Sequence, residues 1–174
     1  MFIYLQPIGE VDSELLEELR IILSSKFGIE CKLREQMDMP REAYDSTRNQ
    51  YHSTTILRFI KRPDDGLAIL AVTEPDLFVP SLNFVFGEAD PANRRAIISL
   101  LRLRQESYGL PKDEALFKER MKKEAVHELG HIFGLPHCDK RECVMHFSNS
   151  LYDTDFKKHS FCGSCVRILR THLP

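Results

Sequence analysis

The chain has 174 residues, which on a prior of roughly 100–200 residues per domain means one domain. Apolar residues make up 43% and charged residues 29%, which excludes a disordered chain and a coiled coil. A net charge of −2 gives no electrostatic footprint for nucleic acid or an anionic membrane, no apolar run approaches the ~20 residues of a membrane span, and Met1–Pro7 lacks the basic flank of a signal peptide, so a cytoplasmic protein is expected.

Residues 2–8 are short, apolar and rich in β formers, which predicts a first strand. Asp12 or Ser13 caps a helix over about 13–27, with Leu15, Leu16, Leu19, Ile22 and Leu23 three and four apart and Gly28 as its stop. The alternation of Ile29, Cys31 and Leu33 predicts a second strand. Pro40 then opens a predicted helix of about 41–62, ended before Pro63-Asp64-Asp65-Gly66. On that helix Tyr44, Arg48 and Tyr51 would share one face, read as solvated or packing in preference to the alternative of a buried or cleft-side polar network. The apolar run Leu67–Thr73 suits a strand buried on both faces. Leu82–Phe86, ending at Gly87, reads as a half-exposed strand at the edge of a cleft. Residues 95–104 are ambiguous between strand and helix, and the Arg94–Arg95 and Arg102–Arg104 clusters read as solvated ends. A long helix follows from about Pro111 to Phe133, with Phe117, Met121, Ala125, Leu129 and Phe133 as its core stripe.

The segment His127-Glu128-Leu129-Gly130-His131-Ile132-Phe133-Gly134-Leu135-Pro136-His137 fits HExxHxxGxxH. Residues four apart share one helix face, so His127 and His131 reach one cation. Gly134 ends the helix in the left-handed conformation, and His137 returns as third ligand. Three neutral imidazoles leave the fourth tetrahedral position open for water, and Glu128 stands beside that face as general base and acid. A surface helix with incidental histidines, or a purely structural three-histidine zinc, has no use for Glu128.

Five cysteines leave one over in any disulfide scaffold, and four of them fall within 28 residues. Cys138-x4-Cys143 and Cys162-x2-Cys165 have the spacing of a closed, structural four-cysteine zinc site, against the alternatives of a redox CxxC or ordinary buried thiols. Cys31 reads as core. Two zinc ions are therefore expected, one catalytic and one structural.

From His137 to Cys165 the chain resembles the archaemetzincins, a family of the metzincin zinc metalloproteases. Tyr44–Tyr51, Asn83–Ala89 and Ala96–Leu103 extend the resemblance over most of the chain. It implies an α+β fold in one protease domain spanning 1–174. A twisted mixed sheet and long helices would occupy an N-terminal subdomain (1–134), and a small zinc-clamped C-terminal subdomain (135–174) would lie below a cleft. It also implies that 95–103 is a strand and that Met145 is the methionine packed beneath the imidazoles. Some metzincins carry an oxyanion-stabilising tyrosine two residues later; here Phe147 has no hydroxyl, and Tyr152 and His146 are the neighbouring candidates.

The expected activity is zinc-dependent hydrolysis of peptide or protein substrates by a monomer with no nucleic-acid or membrane partner. The alternatives are a zinc hydrolase acting on a non-peptide amide or ester, and a catalytically idle, zinc-stabilised module that binds protein or nucleic acid.

Overall fold

The computed structural model describes residues 1–173. The chain opens with β1 (Phe2–Ile8), α1 (Ser13–Phe27) and β2 (Cys31–Leu33). After a 3-10 turn at Arg41–Ala43 come β3 (Tyr44–Asp45), β4 (Gln50–His52), α2 (Ser53–Phe59), β5 (Gly66–Thr73), β6 (Leu77–Phe78), β7 (Gly87–Asp90) and β8 (Arg95–Ser99). The C-terminal part holds α3 (Glu114–Ile132), α4 (Leu151–Phe156) and α5 (Gly163–His172). Among the described residues, no helix is long and apolar enough to cross a membrane.

The main sheet runs β2-β1-β5-β8-β7. Its first four strands are parallel, while β7 runs antiparallel to β8 and forms one edge. A small second sheet joins β3, β4 and β6. Strand β5 sits at the centre, which is why its sequence is continuously apolar. Ala68, Leu70 and Val72 face one side, with α1 and α3; Ile69 and Ala71 face the other, with Ile56, Leu57 and Ile60. The larger core continues from α3 into Val144, Met145, Cys165 and Leu169, so the C-terminal segment packs into the same apolar body as the sheet.

The caps behave as their residue types dictate. Asp12 accepts from the Glu14 amide at 2.8 Å, and α1 ends at Gly28 with φ of 67°. Asp113 accepts from the Leu116 amide at 2.9 Å and starts α3, whose stripe Phe117, Met121, Ala125, Leu129 and Phe133 is buried throughout.

Three sequence expectations are corrected. The helix expected over 41–62 is helical only in α2. The Asp45 carboxylate accepts from the amides of Thr47 and Arg48, and Asn49 takes a left-handed φ of 53°, so side-chain-to-backbone bonds replace the helical ladder with a hairpin. Tyr44 and Tyr51 become a cross-strand pair, ring centroids 5.1 Å apart, instead of sharing a helix face. The edge strand lies at Gly87–Asp90, and 82–86 is loop, tied to Leu77 by a single bond from the Val85 amide. The strand expected over 95–103 stops at Ser99, because a 3-10 turn takes Leu101–Leu103. The arginines there are paired: Arg102 with Asp76 at 2.7 Å, and Arg104 with Glu74 through both terminal nitrogens, one at 3.0 Å.

Candidate metal centres and cleft

The 19-residue helix α3 presents His127 and His131 one turn apart. The helix ends in a Schellman turn: the Gly134 amide donates to His131 O and the Leu135 amide to Gly130 O, both at 3.0 Å, with Gly134 at φ 82°. The turn reverses the chain and brings His137 back over the helix end. Each helical imidazole is held from behind. His127 Nδ1 donates to Val144 O and His131 Nδ1 to Leu135 O, both at 2.8 Å. Because a carbonyl only accepts, these bonds fix the proton on Nδ1 and leave bare lone pairs on Nε2.

Those two lone-pair nitrogens approach to 3.1 Å with no proton between them. Two nitrogens on one tetrahedral zinc at 2.0–2.1 Å would stand about 3.3 Å apart. The donor set of His127, His131 and His137, all within 4.8 Å of one another, therefore fits one zinc ion. Burial holds all three imidazoles below their ordinary pKa, most strongly His127, with the Lys157 ammonium adding to it, so they favour the neutral form a metal takes. Beneath them Met145 is completely buried, and its sulfur fits because residue 130 is glycine: a Cβ there would come within 2.4 Å of it.

The histidines open onto a cleft of about 760 Å³. One wall is the loop 79–86 with Leu82, Phe84 and Phe86; the edge strand β7 contributes Gly87, Glu88 and Ala89; Leu135, Pro136 and Phe147 line the other side. Phe147 packs on His137 at 5.0 Å between centroids. His146 and Tyr152 are not among the lining residues: His146 Nδ1 donates to Cys138 O at 2.8 Å, and Tyr152 points to solvent.

Glu128 lies inside this cleft, buried, against the start of β7. A Cβ on Gly87 would stand 2.7 Å from its Oε1. Burial, then the neighbouring Glu124 carboxylate, pushes its pKa well above the usual carboxylate range, while Lys157 opposes the shift. Glu124 sits one turn earlier on α3, also raised by burial, and its Oε2 has no hydrogen-bond partner among the described residues. The fully buried Lys157 ammonium stands 3.8 Å from that oxygen and donates to His146 O at 3.3 Å. Glu88 also reaches the cleft, but Ser53 and Thr54 both donate to its carboxylate. Reading the sequence alone misses Glu124, Lys157 and the Glu88 carboxylate as parts of this site, while Gly87 and Ala89 were expected to leave room beside the cleft edge. Lys157 had no signal at all; Glu124 lies one turn before Glu128, which the helical period alone could have flagged.

The four cysteines form a second cluster. Cys138 and Cys162 Sγ are 3.8 Å apart, Cys143 and Cys165 Sγ 3.7 Å. Four sulfurs at ~2.3 Å from a tetrahedral zinc are spaced about 3.8 Å, far from a disulfide's ~2.05 Å. The set therefore fits a closed zinc site. Cys162 caps the N-terminus of α5, where the Cys165 amide lowers its thiol pKa to about 6. Cys31 is buried in the core, and burial raises its pKa to about 12.

The chain matches the model of peptidase family M54 over residues 7–171. It is 44% identical to the archaemetzincin of Methanocaldococcus jannaschii over 170 residues, covering 98% of this chain and 93% of the relative. It is 48% identical to that of Pyrococcus furiosus, covering 96% and 91%. The crystal structure of archaemetzincin from Archaeoglobus fulgidus, complexed with malonate, superposes with a TM-score of 0.85 at 40% identity, covering 97% of this chain and 99% of that one. A zinc-dependent peptidase from Methanocorpusculum labreanum gives 0.84 at 33% identity, covering 96% and 99%.

Proposed function

The chain belongs to the archaemetzincins, peptidase family M54, and is a zinc-dependent peptidase; on that premise we propose that it hydrolyses peptide bonds with Glu128 as general base and acid, at a zinc held by His127, His131 and His137. The observation that carries this reading is the Glu128 carboxylate inside the cleft beside three clustered imidazoles, two of which turn their Nδ1 protons away to backbone carbonyls. A second zinc on Cys138, Cys143, Cys162 and Cys165 is structural. When bound at the histidines, zinc supplies Lewis acidity, bringing the pKa of a water from 15.7 toward about 7.

The chain's own residues do the rest. Gly87 and Ala89 offer an open strand edge along which an extended peptide adds its backbone. Leu82, Phe84 and Phe147 exclude water around it. Glu128 Oε1 takes the proton of the attacking water and returns it to the leaving amine nitrogen. All seven proposed ligands and the base come from one chain, which supports action as a monomer. Four thiolates committed to a metal fit the reducing cytoplasm.

Glu128→Gln tests the assignment. Removing a general base typically costs 10²–10⁴-fold, so hydrolysis of a fluorogenic peptide should fall by at least about that much while two zinc ions per chain remain bound. Wild-type turnover in the variant would overturn the mechanism, and binding-module behaviour without turnover in the wild type would favour the idle alternative.

A further inference from the structure

We infer that the hairpin of β3 and β4 is a clamp that sets substrate affinity, with Arg48 and Gln50 as positioning residues that hold the loop 79–86 in its binding shape without touching substrate. Neither residue lines the cleft, yet both reach across more than thirty positions to the loop that does. Arg48 Nη1 donates to Leu82 O at 3.0 Å, and its guanidinium lies 4.4 Å over the Phe78 ring. Gln50 Nε2 donates to Asn83 O at 2.8 Å and to Asp76 Oδ2 at 3.0 Å. Arg102 donates to the same Asp76 oxygen and lies 4.8 Å over the Phe84 ring.

The loop needs this help. It forms no strand, and its backbone ties to the rest of the fold are two, the Val85 amide on Leu77 O and the Ser99 amide on Phe86 O, which leave residues 79–84 without one. A segment with so few anchors opens at low free-energy cost. The hairpin, by contrast, is stiff: the Asp45 carboxylate binds two turn amides, the Tyr44 hydroxyl donates to Asn49, and the tyrosine rings pack together. Arg48 leaves the turn of this hairpin exposed to solvent, so its truncation removes one arm of the clamp without opening the core, while Gln50 keeps the other.

The consequence is a population effect. Apparent affinity falls by the fraction of molecules whose wall is in place, whereas Glu128 and the histidines ride on α3 and its turn and keep their geometry. Losing a hydrogen bond of about 1–1.5 kcal/mol lowers the ratio of closed to open walls roughly fivefold to tenfold, and the closed fraction by at most that factor. The inference rests on the cleft being the peptide site, so its test includes an arm that needs neither substrate nor turnover.

Arg48→Ala and Arg48→Lys are compared with wild type in three measurements. The first is amide hydrogen exchange over 79–86 in the zinc-loaded protein without substrate. The second is steady-state hydrolysis of the best peptide from a fluorogenic library. The third is the Kd of that peptide for Glu128→Gln with and without Arg48→Ala. Arg48→Ala should speed exchange in the loop by about fivefold to tenfold and raise KM and Kd together by up to that factor, with kcat within about twofold and little change in Tm. Arg48→Lys keeps a donor but loses the flat stack on Phe78, so it should restore part of the KM. Unchanged loop exchange, or a fall in kcat at constant KM, overturns the clamp. A peptide that fails to bind Glu128→Gln at all overturns the peptide-site reading instead, and the exchange measurement still decides the clamp.

Discussion

His137 and Cys138 are neighbours in the chain, yet the two clusters they serve are built on opposite plans. Two of the three histidines stand on a long helix whose opposite face is core, and their Nδ1 protons are anchored on backbone carbonyls. That arrangement stays in place whatever fills it, and one side opens onto the cleft. The cysteines come from a loop and the first turn of α5, their sulfurs pack against one another, and Cys143 and Cys165 are buried. Here the ion itself would supply the rigidity. The open site is preorganised by the fold, while the closed site preorganises part of the fold.

The comparison predicts an asymmetry in metal loss. Stripping the histidine site should leave a folded, inactive protein. Zinc on four cysteines would contribute on the order of 10–16 kcal/mol of apparent binding energy, so breaking the site with Cys165→Ser should lower Tm sharply. Activity should fall too, because the segment between the cysteines includes Val144, whose carbonyl anchors His127, and Met145, which packs against Gly130. A displacement of about 1 Å in such a constellation costs about 10²-fold in rate. Thermal unfolding and zinc titration of the histidine site decide it: unchanged histidine-site affinity in a folded Cys165→Ser protein would show that the two clusters are independent.

Gly87→Ala sharpens the same contrast from the cleft side. Its Cβ would collide with Glu128 Oε1 at 2.7 Å and with Ile97 O at 2.8 Å, so the Glu128 carboxylate, the proposed base, must swing away from the edge strand. We expect kcat to drop by roughly 10–100-fold, with zinc content unchanged because no ligand moves. Metal analysis beside single-turnover rates checks this, and a variant that loses zinc would mean that β7 braces the histidines and not the base.

What the sequence reveals follows the same division. The histidine cluster was legible because a helix with HExxH spacing forces two side chains onto one face, and Gly134 marks its stop by the φ it must adopt. The central strand was legible because burial on both faces leaves an unbroken apolar run. The hairpin at 44–52 was not, since Pro40 and the charged, helix-tolerant residues after it mimic a helix start, and only the Asp45 turn bonds and the parallel pairing of β4 with the distant β6 override that. The cleft's second layer was equally hidden. Lys157 reaches Glu124 across 33 positions through tertiary packing, which no local period encodes.

The smallest expected effect tests how the two clusters communicate. Helix α5 carries Cys165 near its start and His172 at its end, and the His172 ring lies against the Gly134 turn that delivers His137; a Cβ on Gly134 would stand 2.9 Å from its Nε2. Two routes thus connect the closed site to the open one. One runs through the backbone, from Cys143 by way of Val144 O to His127, and from Cys138 directly to His137. The other runs along α5 to His172. The second route is weak on physical grounds: His172 is exposed, and its Nδ1 proton already goes to Ile168 O at 3.0 Å within its own helix. The contact with the turn is therefore van der Waals packing at the surface, where substitutions usually stay within about 0.5 kcal/mol. His172→Ala should leave activity and histidine-site zinc affinity within about twofold, and Tm within a degree or two. A tenfold loss of zinc affinity in this variant would place the coupling in α5 packing and remove the backbone route through Val144 as its carrier.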